Sequence, residues 1–347
     1  MKSYRYEKNP IIKIEDVIPS SEEMEVLGVF NPGVVSYNGK TVLLVRVAEK
    51  VKDAGNYVRV PIFDRKKGGI VILDFDKNDN SIDFSDVRFV KTLNQKYLTS
   101  MSHIRIATSD NGIDFKIERE AFIKPTEWYE EFGVEDPRIT FIDGEYYINY
   151  SAISRNGVVT ALAKTKDFKS VEKLGIVFLA DNKDVVIFPE KIGGKYVALH
   201  RPTSAHFNRP QIWIGYGDKI TAYSDFDLIC DIRPDCFDSA RVGAGCVPFL
   251  TEKGWLEIYH GATADDVYCL GALLLDKDNP TKVLAKSNKP IFESLEQYEL
   301  NGFMPSVVFA CGCIVDGDDI HMYYGNCDEN ICYAKLSVKE ILKTLAV

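Results

Sequence analysis

The sequence predicts an all-β protein, a single five-bladed β-propeller spanning residues 1–347. Three observations carry this: one hairpin pattern recurs five times, turn glycines punctuate it at blade-length intervals, and helical periodicity is nearly absent. Each copy has a turn, a short apolar segment, a glycine-centred tight turn, then an apolar run ending in Tyr, His or a charged residue. The copies are NPGVVSYNGKTVLLVRV from Asn31, EDPRITFIDGEYYINYSAI from Glu135, IFPEKIGGKYVALHRPT from Ile187, AGCVPFLTEKGWLEIYHGA from Ala244, and MPSVVFACGCIVDGDDIHMYYG from Met304. Asn38-Gly39, Asp143-Gly144, Gly193-Gly194, Lys253-Gly254 and Asp316-Gly317 supply residues that tolerate the positive φ of a tight hairpin turn. A further strand-like segment follows each hairpin: HIRIATSDNGIDF, VTALAKTKDF, QIWIGYGDKI, YCLGALLLDKDNP and ICYAKLSVKEI. A small sheet with one apolar face cannot hide that face alone, and radial repetition of such sheets is the propeller solution.

The spacing between the first and second copies is about twice the others, so Lys50 to Met101 reads as an elaboration of the first blade. It carries Arg59, Arg65, Lys66 and Lys67 beside two glycines and is expected to form a loop over the channel mouth. Only Ser20–Val26 and Ser337–Leu345 read as helical, as short terminal extensions.

The formal net charge of −9 gives no general attraction for nucleic acid or anionic membrane, so any bound anion needs a local basic cluster. No run approaches the roughly 18 apolar residues of a membrane span, and the first residues lack the apolar core of a signal peptide. The expected location is the cytoplasm. The eight cysteines sit mostly in apolar strand-like runs without a C-x-x-C pair, and read as small buried residues.

Polar residues at the ends of apolar propeller strands tend to face the central channel. Those that line up across the copies are Asn31, Arg46 and Glu49, then Glu135, Asp136, Arg138 and Arg155, then His200 and Arg201, His260, and Asp328. Asp136 precedes Pro137, which favours an extended backbone, and a turn-capping aspartate would look the same. A phosphate dianion in a cleft needs two or three positive partners, and each contributes on the order of 4 kcal/mol gross at an effective dielectric near 20. Arg65, Arg138, Arg155, Arg201 and His260 could form that cradle, although each alone also fits an ordinary ion pair. His200 and His260 lack metal-ligand spacing, so no metal is expected. Tyr57, Tyr150, Tyr259 and Tyr324 could stack on sugars, with propeller core as the default. Serine-hydrolase, P-loop and dinucleotide motifs are missing from the sequence.

Together the motifs resemble glycoside hydrolase family 130 along nearly the whole chain. The most specific pieces are Val134-Glu135-Asp136-Pro137-Arg138, Phe188-Pro189-Glu190-Lys191, Leu199-His200-Arg201-Pro202, Gly254-Trp255 to Tyr259-His260-Gly261, and Tyr324-Gly325-Asn326-Cys327-Asp328. The resemblance implies a five-bladed propeller that cleaves β-mannosides with inorganic phosphate, with inversion, giving α-mannose 1-phosphate. It implies Asp136 as the catalytic acid, which protonates the departing oxygen directly or through a sugar hydroxyl. It assigns phosphate to Arg65 and Arg155, with Arg138 and His260 close by, and the reacting mannose to Asn31, Arg46, His200, Arg201 and Asp328. Phosphate is then a co-substrate, no cofactor is needed, the partners are a small β-mannoside and phosphate, and a homo-oligomer is compatible. β-1,2-Mannobiose and short β-1,2-mannooligosaccharides are the expected substrates, ahead of β-1,4-mannosyl-glucose and β-1,4-mannooligosaccharides. A hydrolase would need a second carboxylate for water, from Glu135, Glu190 or Glu257. A non-catalytic glycan-binding propeller is the remaining alternative.

Overall fold

The computed structural model describes residues 3–204, 206–207 and 209–346 and is all-β apart from a few short helical turns. Each sequence repeat folds into an antiparallel meander of four principal strands. The first comprises Met24–Tyr37, Lys40–Val51, Ser100–Ser109 and Lys116–Ile123, and the second Gly133–Ile142, Glu145–Ser154, Gly157–Thr165 and Glu172–Phe178. A single parallel bridge, Gly133 to Ser102, joins these two into one eight-stranded sheet. The third comprises Asn182–Ile187, Tyr196–Pro202, Ile212–Lys219 and Ala222–Cys230. The fourth runs from Arg241–Ala244 through Gly254–Ala262 and Tyr268–Leu275 to Val283–Lys286, with Phe249–Thr251 as an added short strand. The fifth takes Val308–Asp316, Asp319–Asn326 and Asn330–Ser337 from the C-terminal end and Tyr4–Arg5 from the N-terminal end. Opening strands adjoin one another: Met24–Tyr37 packs on both Gly133–Ile142 and Val308–Asp316, and Asn182–Ile187 packs on Gly133–Ile142 and Arg241–Ala244.

Local chemistry explains the details. Asn38-Gly39, Asp143-Gly144 and Gly193-Gly194 form the expected two-residue turns with both φ positive. The other two turns shift by one residue, to Glu252-Lys253 and Gly317-Asp318, because the strand pairs close at Thr251–Gly254 and Asp316–Asp319. Ser20–Val26 is not helical: the pull of pairing with Lys40–Val51 draws Met24 onward into the first strand. Val338–Thr344 is a helix as expected, capped by the Ser337 hydroxyl accepting from the Glu340 N–H.

The Lys50–Met101 insertion is not a loop. It forms two hairpins, Tyr57–Asp64 with Gly69–Asp76 and Phe89–Lys91 with Lys96–Leu98. Val60, Ile62 and Val90 share an apolar cluster with Phe132, and the Phe63 N–H donates to the Glu131 carbonyl at 2.8 Å, which fixes the hairpins to the second meander.

Three meanders repeat one polar staple. A fully buried carboxylate accepts from a tyrosine hydroxyl on the second strand and a cation on the fourth: Glu130 with Tyr150 and Lys173, Asp238 with Tyr259 and Lys286, and Glu299 with Tyr324 and Arg5. These tyrosines are core, as their default reading holds, while Tyr57 is exposed. Six of the eight cysteines are buried. Among the described residues no helix is long and apolar enough to cross a membrane.

Candidate active site

Three opening strands carry the same distortion. Pairing slips at Phe30/Gly33, Glu135/Arg138 and Lys183/Val186, and the bulged residue takes left-handed φ: Asn31 at 49°, Asp136 at 50°, Asp184 at 52°. Asn and Asp tolerate this conformation better than other residues with a side chain. Asp136 therefore does not have the extended backbone that Pro137 favours. In each of the three the bulge turns a polar side chain out of the strand alternation.

Arg46 gathers the first group. Its Nη1 donates to Asp136 Oδ1 at 3.0 Å, its Nη2 to Glu135 Oε1 at 2.7 Å and its Nε to Ser102 Oγ at 3.0 Å. Its guanidinium lies 4.5 Å from the Phe30 ring centre. Asn31 Nδ2 also donates to Asp136 Oδ1 at 3.0 Å, so both donors converge on one oxygen. Burial would raise the Asp136 pKa, but Arg46, Arg138 and the Asn31 hydrogen bond outweigh it and hold the carboxyl below its usual range. Glu135 goes the other way: burial raises it, Asp136 adds to the rise, and Arg46 and Lys183 oppose it. Asp328 is pushed up to about 6, by burial first, with Arg46 opposing and Asp136 and Glu135 adding.

Two cavities meet at this group. One, of about 300 Å³, is lined by Arg46, Glu135 and Asp328 together with Arg59 and Arg88 from the insertion. The other, of about 490 Å³, shares Phe89, Leu98 and Glu135 with it and adds Lys96, Arg155 and Lys183. Glu135 thus stands between a mixed-charge cavity and a cationic one.

A second buried group lies around Asp184. Its Oδ2 is 2.6 Å from Arg201 Nη1 and 3.3 Å from His260 Nε2, and its Oδ1 is 3.4 Å from Arg138 Nη2. Burial disfavours its charge, but Arg201 and His260 outweigh that and hold the carboxyl well below the ordinary range. Burial lowers His260 to about 4, so at neutral pH the His260 contact is that of a neutral imidazole. Arg138 is 1% exposed, and its other donors go to the Asp136, Ala244 and Gly245 carbonyls. With its donors spent in this way, Arg138 supports the bulge and lines neither of these two cavities.

The remaining candidates scatter. His200 accepts at Nδ1 from Asn182 Nδ2 at 2.9 Å, stacks on Phe178, and is lowered to about 4 by burial. Arg155 pairs with Glu131 at the rim of the cationic cavity. Arg65 sits exposed in the turn between Asp64 and Gly69 and lines neither cavity, because the insertion folds as a hairpin that carries this turn outward. Glu190 is exposed, and Glu257 is fully buried, accepting the Gly245 N–H at 2.9 Å. Among the described residues no group of three or more His, Cys, Asp or Glu could hold a metal ion. Lys183, Asp184 and Ser102 were not anticipated. The signal for the first two was positional: Asn182-Lys183-Asp184 opens its meander as Val134-Glu135-Asp136 opens the preceding one.

The chain as a whole is similar to known proteins. The profile of glycoside hydrolase family 130, described as beta-1,4-mannooligosaccharide phosphorylase, matches residues 85–347. The chain is 45% identical over 352 residues to the beta-1,2-mannobiose phosphorylase of Listeria innocua serovar 6a, covering 100% of this chain and 99% of that protein. It is 40% identical over 250 residues to the 1,2-beta-oligomannan phosphorylase of Thermoanaerobacter sp. strain X514, covering 71% and 82% of the two. A solved complex of a Listeria innocua beta-1,2-mannobiose phosphorylase with beta-1,2-mannobiose superposes with a TM-score of 0.96, over 100% of this chain and 99% of that one.

Proposed function

Because the chain belongs to glycoside hydrolase family 130, we propose that it is an inverting phosphorylase of β-mannosides, acting on β-1,2-mannobiose or short β-1,2-mannooligosaccharides. One observation carries the phosphorolytic reading: the cavity beyond Glu135 is lined by Lys96, Lys183 and Arg155, the last also paired with Glu131 at the rim. An anion is the natural occupant of such a site, and phosphate is already a nucleophile, so no second carboxylate is needed to activate water. Lys183 is the least exposed of the three, and Arg201 is its register partner on the next strand. Asp184 and the neutral His260 orient Arg201. Phosphate on Lys183 and Arg155, backed by Arg201, replaces the expectation that Arg65 and Arg138 bind it. The five meanders with adjoining opening strands fit a five-bladed propeller, and use of cellular phosphate fits a cytoplasmic enzyme.

In this reading the transferred mannose sits against Arg46, Asp328 and Asn31, between the two cavities. Asp136 gives its proton to the glycosidic oxygen, directly or through a ring hydroxyl; that C–O bond breaks while a phosphate oxygen bonds the anomeric carbon from the opposite face. The products are α-mannose 1-phosphate and a free sugar. In the empty site Asp136 is ionised, since Arg46 and Arg138 depress its pKa. A sugar that expels water from the cavity strengthens the burial effect and favours the proton the reaction requires.

The test is product release from β-1,2-mannobiose with and without phosphate. Mannose 1-phosphate formed only with phosphate supports the reading, whereas free mannose at equal rates in both establishes a hydrolase. Asp136→Asn should lower kcat by at least about 10³-fold with the fold retained by circular dichroism; retained turnover removes Asp136 from the acid role.

A further inference from the structure

The insertion contributes two arginines to the cavity that faces away from the cationic side. Arg59 belongs to the first hairpin, and its Nε donates to Asp74 Oδ1 at 3.2 Å. Arg88 precedes the second hairpin and is clasped by Asp86, with Nε to Oδ1 at 3.0 Å and Nη2 to Oδ2 at 2.9 Å. Each guanidinium is thus held by a carboxylate of the same insertion. Both Nη groups of Arg59 and Nη1 of Arg88 are left without a protein acceptor among the described residues, beside a cavity that both arginines line. Glu135 and Asp328 line the same cavity, and Asp328 contributes to raising the Arg88 pKa. Held donors and carboxylate acceptors lining one cavity suit a neutral polyhydroxyl compound, whose hydroxyls can accept from the first and donate to the second.

Inversion fixes which sugar unit this is. Phosphate and leaving group occupy opposite faces of the transferred mannose, and the cationic cavity lies on the other side of Glu135. We propose that Arg59 and Arg88 bind the hydroxyls of the departing sugar unit, so that the insertion, not the repeated body, selects the acceptor. The inference rests on the phosphorylase reading above. It gives a chemical reason for hairpins anchored on Phe132 and the Glu131 carbonyl: a wall that must place two guanidinium groups cannot be a mobile loop.

The synthetic direction separates the two sugar sites, because mannose 1-phosphate and the acceptor mannose bind as separate molecules. In Arg59→Gln/Arg88→Gln, the KM for acceptor mannose should rise at least about tenfold while the KM for mannose 1-phosphate changes less than about twofold. Glutamine keeps most of the stem packing, and an unchanged melting temperature guards against misfolding. Equal rises in both constants, or no rise in either, overturn the proposal. If the wild type forms no product, the phosphorylase reading itself has failed. Calorimetric titration with β-1,2-mannobiose then decides the arginines' role: affinity unchanged in the double variant overturns it, and a tenfold loss supports it.

Discussion

At Asp328, burial raises the carboxyl pKa from the ordinary 3.8 to about 6, with Arg46 opposing and the charges of Asp136 and Glu135 adding. Folding therefore favours its protonated form. Below about pH 4 both folded and unfolded chains carry the proton and Asp328 costs nothing; the cost grows as pH rises and is complete above about 6. The shift corresponds to at most about 3 kcal/mol, since each pKa unit is about 1.4 kcal/mol. Asp328→Asn should therefore be more stable than wild type at pH 7.5, by about 1–2 kcal/mol, with a smaller advantage at pH 5. Urea unfolding at the two pH values measures this, and an equal or reversed difference would mean that Arg46 already neutralises the carboxylate. The same variant should lose turnover, the familiar exchange of stability for a strained site. At this scale the sequence was informative where a residue stood beside a repeat landmark: the structure brings Asn31, Arg46 and Asp136 into direct contact. For Lys183 and Asp184 it offered only their place at the opening of a meander, because a left-handed bulge without a neighbouring proline or glycine leaves almost no trace in residue type.

Among the elements, the recurring carboxylate staple explains why short helical turns precede two of the meanders. Trp128–Glu130 and Gln297–Leu300 each deliver a glutamate whose carboxylate also accepts two backbone N–H groups, at residues 126 and 127 and at residues 295 and 296. Tyrosine at the sixth place of these three second strands was visible in the sequence, but its partner was not, since the pairing crosses 20 to 25 residues or, for Arg5, nearly the whole chain. Breaking a buried ion pair costs about 3–5 kcal/mol when one charge is left behind. Glu299 keeps three other donors, so Arg5→Met should cost about 2–3 kcal/mol. In the double-mutant cycle, adding Glu299→Gln should recover part of that loss. A change below about 0.5 kcal/mol for Arg5→Met would show that the pair behaves as an exposed one.

For the molecule as a whole, five repeats and their turn chemistry were legible because each meander must satisfy the same local rules. The joining of the ends was not, because a two-residue strand at Tyr4–Arg5 has no periodicity to read. Net charge was legible too, and it bears on the co-substrate. The chain carries −9 overall, yet the proposed phosphate cavity is lined by Lys96, Arg155 and Lys183. A phosphate dianion is therefore repelled at long range and attracted only within a few ångströms. Salt screens the two differently: at 0.1 M the screening length is about 10 Å, which removes the distant repulsion and leaves contacts inside the cavity largely intact. Raising ionic strength from 10 to 150 mM should accordingly hold or increase kcat/KM for phosphate, by up to about twofold, while the KM for the neutral mannoside stays flat. Initial rates at subsaturating phosphate and constant pH measure this. A several-fold fall would mean that the basic cavity projects a field beyond its mouth and already dominates phosphate capture, with the acidic surface contributing nothing to the encounter.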